Sequence, residues 1–556
     1  VSPDYFHPML RVRRTNLTWN NSALLVGVAL CFGFSLVFLI AGRFSKLEGM
    51  ASIVYLLSSW AVCGFLIYGM AAGYFPIRMG YFFVDHLRFP PILALLFGAS
   101  AGVSLAVFDK TKTKAQRGAS ISIPLAAGLA ILALASREIF AHLVFLFSST
   151  VVAGLSLAGF DIVRIRIIGR PFSWWVLGDA LTAAGGVLGF LMLRESSVMY
   201  SPPLLSGSAV QTGIVILLML SGGFIRLGVF PFYSWTGKLF AYSDQIWRAF
   251  FLGCLNICLG GFRLIAACVM VARLITVDLT AIMVLLGLAS VIVGTLLMLT
   301  ALDMGRFVSG MYSSFAGALL AGVSLFSRGS FNGGLFLLFT APALFFCSFA
   351  SLSKIERFSG FSQIGRNKLG ISNMPGYFLC LVICGLSLAG IPPTDGFISR
   401  LLLVASSLAQ SSGGYLGLVA CLVFMVSMVC VLLAFIRFLY LTFSIGFKPS
   451  VHAVKNGWSH LGSAVTSLTG ISLVFFGVFP RMLYRYVISE ASKAIFPPGK
   501  QLPAVVFRPL SSVSEQVIGR RLSMSFDIAA VVAAFALIGL IWYFSSSRLK
   551  VRKIFE

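Results

Sequence analysis

The sequence predicts an all-α polytopic membrane protein, and three observations carry that prediction. Of 556 residues, 58% are hydrophobic and 11% charged, with a mean hydropathy of +0.97; soluble domains run at about 25% charged. About fifteen apolar runs approach the ~20 residues needed to cross a hydrocarbon core. Lysine and arginine favour alternate connections, about 17 in the odd loops against about 6 in the even ones, which is a positive-inside bias.

The runs fall at roughly 22–42, 51–73, 90–108, 118–136, 138–160, 173–193, 209–231, 248–271, 279–301, 307–327, 331–352, 377–408, 414–445, 462–480 and 526–546. An extramembrane segment, 1–21, precedes the main membrane domain, 22–480. A basic linker follows over 481–525, then a further transmembrane helix over 526–547 and a basic tail over 548–556. The first part of the linker, 481–496, is basic and amphipathic and suits a membrane surface; Pro497-Pro498-Gly499 marks irregular chain. The odd loops, with Lys110, Lys112, Lys114, Arg117, Arg164, Arg166 and Arg170, then Lys354, Arg357, Arg366 and Lys368, should face the cytoplasm or matrix. Val1 reads as a processed terminus or a non-standard start.

The net charge of +25 suggests nucleic acid, but these bases sit in short loops between apolar runs, so no nucleic-acid partner is expected. Ten cysteines lie scattered in apolar segments without a CxxC pair. Cys254 and Cys258 share a helix face, which suits packing. Five histidines argue against a histidine-ligated haem or metal. Neither a phosphate-binding GxxxxGK[ST] nor a zinc-binding HExxH motif occurs. No cofactor is expected in this chain. Gly185-Gly186, Gly222-Gly223 and Gly260-Gly261 should let helices approach closely.

The stretch LSLAGIPPTDGFISR (386–400) departs from a simple membrane helix. Pro392-Pro393 removes two backbone donors and breaks the helix. Such a break is tolerated at membrane depth only where protein or a watery cavity covers the freed groups. The helix restarts with Arg400. The run 209–231 likewise carries Arg226 and stops at Pro231. An arginine near a helix centre costs about 2.5–3.5 kcal/mol on insertion scales. One interrupted, arginine-bearing helix in each half points to an ion pathway. The alternative is that each arginine sits near a helix end and snorkels or pairs structurally.

Three segments in order resemble the antiporter-like membrane subunits. GGFIRLGVFPFYSW (222–235) is similar to their seventh-helix motif G-x-x-[KR]-L-x-x-x-P-F-H-x-W. LDMGRFVSGMYSSFAGALLAGVSL (302–325) resembles an eroded L-K-R-L-L-A-Y-S-S-x-x-x-x-G. LSLAGIPPTDGFISR resembles L-S-L-A-G-I-P-P-x-x-G-F-x-x-K, the form of the NADH dehydrogenase subunit 2 type of respiratory complex I. YFFVDHLRF (81–89) also fits. The resemblance covers roughly 22–480. It implies fourteen antiporter-like transmembrane helices with two inverted five-helix repeats and broken helices 7 and 12; the last helix of this chain is an addition.

The resemblance places Arg226 and Arg400 at the family's seventh- and twelfth-helix lysines. It places Tyr233 at the motif histidine and Asn256 near the eighth-helix lysine. Phe147 or Ser148 falls at the fifth-helix glutamate, Ser173 at its sixth-helix lysine partner and Phe315 at the tenth-helix histidine. Lysine can lose its proton when buried, whereas arginine effectively cannot. Arg226 and Arg400 would thus be fixed positive charges rather than proton carriers. Asp179 is expected to pair with Arg226 in place of the lost carboxylate–lysine pair; otherwise it meets a polar interhelical contact. Glu138 and His142, four apart on one helix face, form a possible relay, unless Glu138 marks the interface.

The function implied is a complex I membrane-arm subunit coupling NADH:ubiquinone oxidoreduction to proton translocation in the mitochondrial inner membrane. It would work as a hetero-oligomer among other membrane-arm subunits and phospholipids, with all redox chemistry elsewhere. The alternatives are a structural subunit of the same fold that has lost pumping, and a cation/proton antiporter subunit.

Overall fold

The computed structural model describes residues 17–41, 45–71, 77–79, 82–108, 114–159, 161–193, 209–243, 247–274, 277–360, 362–365, 369–371, 374–410, 415–444, 460–489 and 491–492. The expected final helix at 526–547, its tail, most of the linker and the N-terminal 16 residues lie outside this set. The main elements are α1 (Leu17–Ala41), α2 (Ser45–Ala71), α3 (Phe89–Phe108), α4 (Lys114–Ala135), α5 (Ile139–Leu157), α6 (Ile162–Leu193), α7 (Ala209–Leu227), α8 (Ser234–Tyr242), a π-helical segment (Arg248–Leu255) running into α9 (Asn256–Leu274), α10 (Val277–Thr300), α11 (Met304–Ser324), α12 (Arg328–Ser359), α13 (Pro375–Ala389), α14 (Asp395–Gln410), α15 (Tyr415–Thr442) and α16 (His460–Val478). Each of the first fourteen apolar runs is helical. Among the described residues ten helices are long and apolar enough to cross a membrane. The chain is a multi-pass, all-α membrane protein.

The helices sort into an inner and an outer set. α11, α12 and the Arg248–Val269 span are almost wholly enclosed by neighbours, whereas α2, α6 and α15 leave most of their surface uncovered. That outer surface carries large apolar side chains such as Leu57, Ile165, Met425 and Ile436, as contact with lipid tails or apolar partners requires. Two of the helix starts are capped by side chains. Ser327 and Ser330 form a capping box at the start of α12, and Asp303 accepts the Arg306 N–H at the start of α11. Arg88 donates to the carbonyls of Leu134 and Ser136, closing the C-terminal end of α4.

Three expectations needed correction. α6 begins at Ile162, eleven residues before the expected run, so Arg164, Arg166 and Arg170 are exposed helical residues rather than loop residues. Their long stems let a helix extend past the hydrocarbon edge. The run at 209–231 is not a span ending at Pro231: α7 stops at Leu227 and a second half, α8, follows at Ser234–Tyr242. Nine residues are too few to register as an apolar run. Finally, the eighth run opens as a π-helix, whose wider turn is common where function distorts a helix.

The two breaks share one backbone design. Gly228 and Gly390 both take positive φ, +67° and +74°. At the first break the Gly228 N–H meets the Ile225 carbonyl at 3.2 Å and the Val229 N–H meets Phe224 at 3.0 Å. At the second, Gly390 meets Ser387 at 3.1 Å and Ile391 meets Leu386 at 2.9 Å. Both are Schellman closures, in which a left-handed glycine returns the last carbonyls of a helix to bonded partners. Each is followed by a cis X-Pro peptide, Phe230-Pro231 and Pro392-Pro393, and then by a new helix. At the second break Gly396 opens α14 so close to α13 that a Cβ there would overlap the Ser387 carbonyl. Gly396→Ala is therefore expected to lower stability by about 1–3 kcal/mol through overpacking, read as a lower thermal midpoint of the purified protein in detergent.

Candidate charged site at the two helix breaks

Asp179 lies on α6 four residues after Trp175, so carboxylate and indole share one helix face. Both are fully buried. α7 brings Arg226 to the same point in its last turn, just before the first break. The Arg226 Nη1 donates to Asp179 Oδ2 at 2.9 Å, and its guanidinium lies 4.1 Å from the Trp175 ring centroid. Thr150 of α5 donates to the same carboxylate oxygen at 2.6 Å. The pairing expected between Asp179 and Arg226 is thus present.

A second arginine, which the sequence reading did not single out, completes the cluster. Arg263 of α9 donates from Nη1 to Asp179 Oδ1 at 2.5 Å. It is the single charged residue in 249–272, and that isolation was the available signal. Arg226, Arg263 and Asp179 carry +1, +1 and −1, a net charge of +1, and all three are at most 1% exposed. A buried charge is tolerated when paired and hydrogen-bonded, and Asp179 is paired on both oxygens. The Nε and Nη2 atoms of both arginines make no hydrogen bond among the described residues. Asn256 sits two turns before Arg263 and donates from Nδ2 to the Arg226 carbonyl at 3.1 Å. It supports the site through backbone rather than through charge.

The first break is held in place around this cluster. Trp235 of α8 donates its indole N–H to the Ile225 carbonyl at 2.9 Å and meets Trp175 nearly edge-on with centroids 5.9 Å apart. The Phe230 N–H, freed by the break, meets Ser290 Oγ at 3.1 Å. Tyr233, at the position of the motif histidine, is only half-buried and stacks on Phe230. Among the described residues its ring contact is with Phe230, in the turn before α8, rather than with the charged cluster.

The side chains at the second break are arranged differently. Asp395 opens α14, is buried, and accepts from Ser387 Oγ at 2.7 Å. Arg400 is 1% exposed. Its stem crosses Gly390, where an added Cβ would lie 2.6 Å from Arg400 Cγ. None of the three guanidinium nitrogens of Arg400 has a hydrogen-bond partner among the described residues. Asp395 does not supply one, because five residues along a helix places it about 140° around the axis.

Glu138 and His142 do not form a relay between side chains. Glu138 is the half-buried N-cap residue of α5 and bonds His142 only through backbone. His142 is buried, with Nδ1 2.7 Å from the Ala133 carbonyl. The helix start holds Glu138 at the edge while one turn further in carries His142 inside. Among the family positions named earlier, Phe147 and Ser148 are half-buried, Ser173 is exposed and Phe315 is buried without charge. Thr150 of the same helix as Phe147 is the one that reaches the carboxylate.

Residues 186–427 match the family described as NADH:quinone oxidoreductase/Mrp antiporter, transmembrane. That stretch includes both breaks, Arg226, Arg263 and Arg400, and starts seven residues after Asp179. Among curated relatives, NADH-quinone oxidoreductase subunit N 2 of Syntrophobacter fumaroxidans is 25% identical over 302 residues, 52% of this chain and 60% of that protein. The structural likeness extends further than the sequence match. A chain of respiratory complex I from Thermus thermophilus superposes with a TM-score of 0.67 at 19% identity, covering 86% of this chain and 100% of that one. A chain of the Mrp complex from Dietzia sp. gives 0.65 at 16%, covering 88% and 99%. These two likenesses establish the fold over most of the chain.

Proposed function

We propose that this chain is a membrane-arm subunit of an NADH:quinone oxidoreductase in which quinone reduction elsewhere drives proton translocation. The observation that carries the reading is a fully buried arginine beside each of two helix breaks of one design. Broken helices at membrane depth form around ion paths, and buried charges inside a membrane cluster at such paths. The relatives named for this oxidoreductase support the same reading.

The residues support a particular mechanism. Arginine holds its proton, so Arg226, Arg263 and Arg400 do not carry the translocated proton. They act as fixed positive charges whose position raises or lowers the barrier for a proton in adjacent water. Asp179 is paired on both carboxylate oxygens, one to Arg226 and one to Arg263. Because it has two partners, Arg226 can move off while Arg263 still neutralises the carboxylate, which avoids the cost of a stranded buried charge. The lysine–glutamate logic of the family is thereby replaced by displacement of a permanent cation. Electron transfer and its cofactors belong to other subunits, and this chain works as one member of a hetero-oligomer embedded in phospholipid. The departure from the lysine pattern favours a divergent lineage, and we assign the mitochondrial inner membrane, testable by fractionation.

Arg226→Gln tests the function without stranding Asp179, which keeps Arg263. In membrane vesicles the variant is expected to oxidise NADH near the normal rate and to translocate fewer protons per NADH. An unchanged ratio would assign the chain the purely structural role. Purification without flavin or iron–sulfur proteins would assign it to a cation/proton antiporter.

A further inference from the structure

Arg248 occupies a junction that the charged site does not use. It opens the π-helical segment and is 3% exposed at its side chain. Its Nη1 pairs closely with Oε2 of Glu356, in the last turns of α12 and 108 residues away. Its Nε and Nη2 donate to the Ser243 carbonyl at 3.2 and 2.9 Å, and Nη2 also donates to Ala241 at 3.3 Å. Its guanidinium lies 4.4 Å from the Phe240 ring centroid. The contacts with Phe240, Ala241 and Ser243 belong to the C-terminal end of α8. The carbonyls there are the negative end of the helix, where a cation is favoured.

α8 is nine residues long, too short to be stable without tertiary support. What holds it therefore sets where Trp235 stands, and Trp235 fixes the Ile225 carbonyl and the Trp175 ring on which Arg226 rests. At the other end of the link, α12 packs on the second restart helix: Gly333 lies against Ser399 and Leu403, and Thr340 faces Asp395. A continuous series of contacts thus runs from Arg226 through α8, Arg248, Glu356 and α12 to α14 and Arg400. Glu356 stands beside the bases Lys354 and Arg357 in the last turns of α12, and an acid at a helix end has no general role in topology.

We propose that the Arg248–Glu356 pair is a positioning contact that couples the two helix breaks, so that displacement of α8 and Arg226 is transmitted through α12 to α14 and Arg400. Spatial continuity alone does not establish coupling, so the test reads coupling itself. It rests on the proton-translocating reading above and is designed to fail separately from it. In vesicles containing the assembled complex, Glu356→Gln is expected to lower protons per NADH to the level of Arg226→Gln while NADH oxidation and assembly persist. Glu356→Asp should restore most of the ratio. The double variant Glu356→Gln/Arg226→Gln should be no worse than either single variant, the non-additivity expected of one shared path. If Glu356→Gln lowers assembly and NADH oxidation together and leaves the ratio unchanged, the pair is a structural brace and the proposal is overturned. If Arg226→Gln lowers the ratio and Glu356→Gln does not, the coupling proposal alone fails. If neither variant lowers it, the functional reading fails with it.

Discussion

Asp179→Asn is expected to be the most damaging single substitution in the charged cluster. It removes the sole negative charge from a unit of one carboxylate and two arginines, so the net charge changes from +1 to +2. Both guanidinium groups lose their ion-pair partner at 0–1% exposure. Removing one partner from a buried pair costs about 3–5 kcal/mol, because the charge left behind is neither paired nor hydrated. With two arginines stranded, the loss should sit at the upper end of that range and appear as little assembled protein in membranes. Combining Asp179→Asn with Arg263→Gln returns the cluster to +1 and should recover part of the stability. Equal yields of single and double variants would show that the two arginines find other partners.

Arg400→Met should do the opposite for stability. Arg400 is buried with no hydrogen bond from its guanidinium among the described residues. An apolar side chain of similar volume removes the desolvation cost and preserves the contact with Gly390. Such replacements of buried ionic groups often stabilise by about 1–4 kcal/mol, so a higher thermal midpoint in detergent is expected. If Arg400 is retained for its charge, the same variant should lose protons per NADH. A protein that becomes more stable and less coupled would locate the reason for the arginine in function. A lower midpoint would mean that Arg400 is satisfied in the membrane by a partner such as water or a neighbouring subunit.

The sequence disclosed most of the scaffold because the bilayer constrains it harshly. A run of about twenty apolar residues has few alternatives to a helix, and Pro392-Pro393 marks its break without ambiguity. α8 escaped because its nine residues include Ser234, Thr236 and Lys238, and no period stands out over so short a length. Asp179 and Arg226 were legible as isolated charges in apolar surroundings. Arg263 carried the same signal but lay seven residues from the position that the family resemblance supplied at Asn256. The Arg248–Glu356 contact was hidden for a different reason. Charges at helix ends are common, and a partner 108 residues away is set by tertiary packing rather than by any local pattern.

α12 runs for 32 residues, about 48 Å at 1.5 Å per residue. A hydrocarbon layer is roughly 30 Å thick. Even with ordinary tilt, both ends of this helix stand at headgroup depth. Its ends are pinned by polar groups, Ser327 with Ser330 at one and Glu356 at the other, while its middle touches the second break. Bilayer thickness therefore acts on the protein as a mechanical variable. A thinner or thicker membrane pulls on pinned ends, and hydrophobic mismatch of a few ångströms reaches the interior through a helix that no lipid touches along most of its length.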